Sequence, residues 1–121
     1  MSHQKGRYPV NKHDGYHAHV YFDEVTKDFA WGLCSRVASK FNLPVGRFHE
    51  KLVGPHPFWS CQILFGKKDF DQLIPWLDSH RGELSVLVHA LSGDDLTDHT
   101  EYAYWLGDSA ELNLEVFARS Q

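Results

Sequence analysis

From Tyr16 to Phe22 apolar residues alternate with others: Tyr16, Ala18, Val20 and Phe22 against His17, His19 and Tyr21. A period of two in an aromatic and β-branched run, bounded by Gly15 and by acidic residues, predicts a strand. One of its faces is apolar, and the other carries two histidines and a tyrosine. After Asp23 the period lengthens. Val25, Phe29, Leu33, Val37 and Phe41 recur every four residues, with Ala30, Cys34 and Ala38 beside them, which is the stripe of an amphipathic helix. Asn42, Pro44 and Gly46 end it. Residues 47–53 predict a second strand, Gly54-Pro55-His56-Pro57 a turn, and residues 58–65 a third strand. Lys67 to Arg81 predict a second helix with Phe70, Leu73, Ile74 and Leu77 on its apolar side. Asp69 is its expected N-cap and Gly82 its stop, while Pro75 is expected to bend it or to mark a late start. Ser85 to Leu91 read as a fourth strand. A Gly/Asp-rich loop follows, then an aromatic segment (Tyr102, Tyr104, Trp105) and a last strand over Leu112 to Phe117.

The order βαββαβ is that of a ferredoxin-like α+β sheet, with two helices on one face and a C-terminal extension. Residues 1–14 are polar and read as an arm, and residues 15–121 as one domain. This topology leaves the second sheet face bare, and that is the face of His17, His19 and Tyr21. With Leu87 and Leu91 added, it presents apolar area that a partner copy would cover, so a homodimer is expected.

Composition narrows the function by exclusion. Twelve Lys and Arg against sixteen Asp and Glu leave a formal charge of −4 without a basic cluster, which argues against nucleic acid and anionic membranes. No apolar run is long enough for a membrane span, and the first residues lack the apolar stretch of a signal peptide. Cys34 and Cys61 sit in apolar patterns and read as buried thiols, which predicts a cytoplasmic location. A Gly-rich phosphate loop, a Gly-x-Ser-x-Gly elbow and a Cys-x-x-Cys pair are all missing.

Nine histidines are the unusual number. His17 and His19, two positions apart on a strand, share a face and lie close enough to bind one metal ion. In the fourth strand, Leu84, Val86, Val88 and Ala90 belong to the helix side, so His89 points with His17 and His19. Strands one and four are neighbours in this topology, which lets the three imidazoles converge. His56 is a fourth candidate, held between two prolines. The segment Asp94 to Glu101 brings Asp94, Asp98, His99 and Glu101 just after the fourth strand. His49 could face either side, and nothing around His3, His13 or His80 suggests a role. A histidine-rich site with few carboxylates suits iron, zinc, copper or nickel better than magnesium or calcium.

Three stretches, Tyr16–Phe22, Gly54–Phe65 and Val86–His99, together resemble the DOPA 4,5-dioxygenase family of aromatic ring-cleaving enzymes. Position 90 departs from the pattern, with Ala where Pro is expected. The resemblance implies a compact ferredoxin-like fold, often dimeric, and extradiol cleavage of a catechol such as L-DOPA by O₂. It further implies a non-haem Fe(II) centre, for which zinc could substitute in purified protein; His17, His19 and His89 are the favoured ligands, and a carboxylate ligand would have to come from Asp94, Asp98 or Glu101. A base must take the catechol proton and later return it. His56 or His99 fills that role, and Asp94 and Tyr21 are the expected substrate contacts. Two rival readings use the same residues: a binding module that holds a metal or small aromatic without turnover, and a cofactor-free oxygenase in which the histidines are bases.

Overall fold

The computed structural model describes residues 6–118, so His3 and the first five arm residues lie outside the described part. The elements are β1 (Gly15–Phe22), α1 (Lys27–Phe41), β2 (Val45–His49), β3 (Trp59–Gly66), α2 (Lys67–His80), β4 (Val86–Ala90), α3 (Asp95–Asp98), β5 (Ala103–Leu106) and α4 (Glu115–Ala118). The strands form one antiparallel sheet in the order β2-β3-β1-β4-β5. The fold is α+β, with βαββαβ along the chain and a fifth strand added at the β4 edge.

The alternation of β1 decides the layering. Tyr16, Ala18, Val20 and Phe22 enter a core shared with Ala30, Leu33, Cys34 and Val37 of α1 and with Phe70, Leu73, Ile74 and Leu77 of α2. Each fully buried aliphatic side chain there contributes roughly 1.5–3 kcal/mol of transfer free energy. β4 is buried on both faces, as a central strand must be.

Several local expectations are corrected. Val25 and Phe29 do not join the helix stripe; they are 90% and 48% exposed, and the buried face of α1 runs through Ala30, Leu33, Cys34 and Val37. The cause is the Asp23 carboxylate, which accepts from Val25 N, Thr26 N and Thr26 Oγ1, so a local turn holds these residues and α1 begins at Lys27. The N-cap of α2 is Gly66, while Asp69 lies in the first turn and its carboxylate accepts from Gly66 N at 3.0 Å. α2 runs unbroken through Pro75. Gly82 ends it at φ +60°, where an added Cβ would stand 3.0 Å from the Phe29 ring.

The last strand is also misplaced by its pattern. β5 is the aromatic segment Ala103–Leu106, and the expected strand at Leu112–Phe117 is instead an irregular segment ending in the helical turn α4. That segment folds back over the second sheet face. Ala110 and Leu112 pack on Tyr21, Leu87, Ala103 and Trp105, and Asn113 N donates to Pro55 O. The face is therefore not bare. Tyr21 and Leu87 are 3% and 0% exposed, so the chain itself covers that part of the apolar area that predicted a partner copy, while Leu91 stays 41% exposed.

The arm is anchored as well. Trp105 N donates to Arg7 O, and the Arg7 guanidinium bonds the carbonyls of Thr100, Glu101 and Ala103 and lies over the Tyr104 ring. His13 bonds the Tyr104 hydroxyl through Nε2 and packs on the Tyr102 ring. The arm covers the outer edge of β5, where an unpaired strand would otherwise invite another chain.

A candidate metal centre on the second sheet face

The second sheet face becomes polar toward one end of β1. Register places His17 opposite His89, and His19 opposite Leu87 on one side and Gln62 on the other. The ligand nitrogens of His17, His19 and His89 lie within 4.8 Å of one another, and no carboxylate joins them among the described residues. His19 and His89 are buried, while His17 keeps some access to solvent.

The hydrogen bonds define the proton positions. His89 Nδ1 is 2.8 Å from the carbonyl of Ala90, which can only accept, so this nitrogen carries the proton and His89 Nε2 is a bare lone pair. His19 Nε2 donates to it across 3.0 Å. Two nitrogens bound to a first-row divalent ion at ~2.1 Å and ~90° to each other are also ~3.0 Å apart. The donor set therefore fits such an ion: neutral imidazoles, one locked by a backbone carbonyl, converging without a fourth protein ligand among the described residues.

Two further histidines flank the three. The His56 ring lies 4.1 Å from that of His19, and the His99 ring 4.1 Å from that of His89. Gly54 at φ +54° and the two prolines fix the loop that carries His56, whose Nδ1 is 2.8 Å from the Tyr21 hydroxyl. His99 follows α3, where its Nδ1 donates to Asp95 O at 2.7 Å. Asp98 beside it is buried, and its carboxylate accepts from Ser92 N at 2.9 Å, tying the α3 turn to the end of β4.

Burial keeps the cluster neutral. Loss of water lowers the pKa of His19 well below the usual histidine range, and neighbouring imidazoles add to the effect. The same cause, reinforced by the charge of His99, brings His89 to about 3 and His56 to about 4. His17 is lowered by burial and His99, and the Asp98 carboxylate opposes part of the shift. Burial also raises the Tyr21 phenol, which stays protonated.

Of the residues singled out in the sequence, His17, His19, His56, His89 and His99 are brought together, with Tyr21 behind His56. Asp94 is exposed, and its carboxylate accepts from Thr97 N at 3.2 Å as the cap of α3. His49 is a partly buried β2 residue opposite Ser60, and His80 stacks on Trp76. The sequence reading missed Phe117, whose ring lies 4.7 Å from that of His99. It also missed a cleft of about 530 Å³ bordered by His99, Thr100, Trp105, Arg7, Glu111 and Leu112. Neither could be found by periodicity, since both depend on the return of the C-terminal segment.

An α+β sheet that gathers three histidine nitrogens beside a cleft defines a small domain with a group that could hold a metal ion. Residues 16–116 match the Dopa 4,5-dioxygenase family, and the chain belongs to it. It is 38% identical over 72 residues to a DOPA 4,5-dioxygenase of Amanita muscaria, a match covering 60% of this chain and 32% of that protein. It is 35% identical over 113 residues to an uncharacterised 21.2 kDa protein of Botryotinia fuckeliana, covering 84% of this chain and 62% of that one. The chain thus spans less than two thirds of the length of either curated relative. A solved structure of a candidate dioxygenase from Nostoc punctiforme superposes with a TM-score of 0.86 at 38% identity, over 89% of this chain and 94% of that one.

Proposed function

We propose that the chain is a non-haem metal-dependent dioxygenase that opens a catechol ring by extradiol cleavage, with O₂ as co-substrate. The observation that carries this reading is the convergence of His17, His19 and His89 on one point of a sheet face beside a cleft. Family membership and the likeness to the Amanita muscaria enzyme support the reaction class, and they support L-DOPA as the first substrate to try.

In this reading His17, His19 and His89 hold Fe(II), leaving coordination positions for small molecules. When bound, the ion supplies the Lewis acidity and redox coupling that allow an organic ring to react with O₂. The protein does the remaining work. Trp105 and Leu112 offer apolar surface for an aromatic ring in the cleft. Buried Leu87 and Trp105 keep water away from the floor of the site. His56 and His99 stand on either side of the three ligands, and one of them serves as the base that takes the catechol proton and later returns it.

No helix among the described residues is long and apolar enough to cross a membrane. The buried free thiols of Cys34 and Cys61 support a reducing compartment such as the cytoplasm. What supports a homodimer is the resemblance together with the exposed Leu91, since the chain covers Tyr21 and Leu87 itself.

The test is oxygen uptake by protein loaded anaerobically with Fe(II), mixed with L-DOPA and simpler catechols. Uptake with a coloured ring-opened product is expected. Iron bound at one per chain without uptake would favour the binding-module reading, and uptake without any bound metal would favour the cofactor-free oxygenase.

A further inference from the structure

We infer that His56 and His99 are held in opposite tautomers, which makes His99 the proton acceptor of the site and His56 a hydrogen-bond donor to developing negative charge, with Tyr21 as the residue that positions His56. The inference rests on the proposed dioxygenase reading for its chemistry, but its geometry stands apart from it.

Each ring is fixed through Nδ1. At His99 the partner of Nδ1 is the Asp95 carbonyl at 2.7 Å. A carbonyl has no proton to give, so Nδ1 carries the hydrogen and Nε2 of the neutral ring is a lone pair. At His56 the partner of Nδ1 is the Tyr21 hydroxyl at 2.8 Å, with both residues buried. The Tyr21 hydroxyl has no other hydrogen-bond acceptor among the described residues. A buried hydroxyl with a single partner places its hydrogen on that partner, since an unmet donor is costly in the interior. Nδ1 of His56 therefore accepts, and its hydrogen resides on Nε2. The sheet face thus presents one imidazole lone pair beside His89 and one imidazole N–H beside His19, with the three-histidine cluster between them.

This division matches what ring opening requires of the protein. A catechol hydroxyl gives its proton to His99 Nε2, which becomes imidazolium. Oxygen-derived charge that develops later is met by the hydrogen on His56 Nε2. That hydrogen stays on His56, held in place by the Tyr21 hydroxyl on Nδ1, and the proton that the product regains comes from the His99 imidazolium. Proton transfer and charge stabilisation so fall to different residues on different sides of the site.

The experiment is nitrogen-15 NMR of histidine-labelled protein loaded with diamagnetic Zn(II), with the His56 signals assigned by their loss in His56→Gln. Wild type is expected to show the His56 hydrogen on Nε2 and the His99 hydrogen on Nδ1. In Tyr21→Phe, which keeps the ring and loses the hydroxyl, His56 is expected to shift toward the Nδ1–H tautomer. Its Fe(II) form is expected to lose about 10- to 100-fold in catechol kcat, the scale on which loss of a supporting hydrogen-bond partner acts, at nearly constant KM. A wild-type His56 hydrogen on Nδ1 overturns the proposal without any variant being needed. So does a Tyr21→Phe protein in which neither the tautomer nor kcat changes. If wild type turns over no catechol, the functional reading fails, and the tautomer spectrum still decides the positioning by Tyr21.

Discussion

His89 lies directly opposite His17 in the strand register, yet its Nε2 meets His19 Nε2, the diagonal neighbour, at 3.0 Å. The third member of the group is the directly paired His17, whose ring centroid is 5.3 Å from that of His89. A direct pair and a diagonal pair on one face are what allow two strands to bring three candidate ligands to a single point.

That arrangement predicts the metal stoichiometry. Wild type should bind one Zn(II) or Fe(II) per chain, measured by elemental analysis after dialysis. His19→Ala and His89→Ala should each lose affinity beyond the ~10–100-fold that removal of a supporting partner costs. His99→Ala should keep the ion, because His99 lies outside the group of three. Tight binding by His89→Ala would remove it from the ligand set.

Acid stability follows from the depressed pKa values of the metal-free protein. His89 at about 3 and His56 at about 4 stay neutral in the fold, while the unfolded chain protonates them near the usual 6.5. Between these limits the unfolded state binds more protons, so stability falls as pH drops below about 6.5 and is insensitive to these groups above it. Each contributes up to about 1.4 kcal/mol per pH unit inside its window. Urea titrations from pH 7 to 4.5 should show this slope, and His56→Gln should reduce it. An unchanged slope would mean that His56 is not buried neutral.

Arg7 ties the arm to three carbonyls at the β5 edge. Arg7→Ala should lower stability by about 1–2 kcal/mol. It should also speed hydrogen exchange at the Trp105 amide, which donates to Arg7 O. Global destabilisation without faster exchange at Trp105 would place the role of Arg7 elsewhere.

Asp98 is a buried carboxylate whose acceptor capacity is spent on Ser92 N. Asp98→Ala leaves that amide unpaired and should cost about 1–3 kcal/mol in thermal unfolding. Because the bond fixes the turn before His99, the same variant should lower catechol turnover more than it lowers Zn(II) binding. Equal loss of both would show a collapse of the whole face.

The fold was largely legible in the pattern. The alternation of β1 and the four-residue spacing of α1 and α2 reflect burial on one side of a regular element, which any sequence records locally. Where a side chain engages the backbone, the pattern misleads. Val25 and Phe29 look like core positions, and the Asp23 turn removes Val25 from the helix altogether. Leu112, Leu114 and Val116 alternate as a strand would, but no neighbouring strand is free to pair with them, since β5 already occupies the β4 edge and the arm covers β5.

The site divides along the same line. His17 and His19 on one face follow from the period of two, and His89 from the alternation of its own strand, so the three candidate ligands were readable before any tertiary structure. Which strands are adjacent and in what register is a long-range outcome, and it alone puts His89 Nε2 against His19 rather than His17. The pairing of Tyr21 with His56, the ring of Phe117 on His99 and the cleft beside them likewise exist only once the C-terminal segment has returned. Local periodicity encodes which side of an element is buried. The partner that each buried group meets is fixed by packing between segments far apart in the chain.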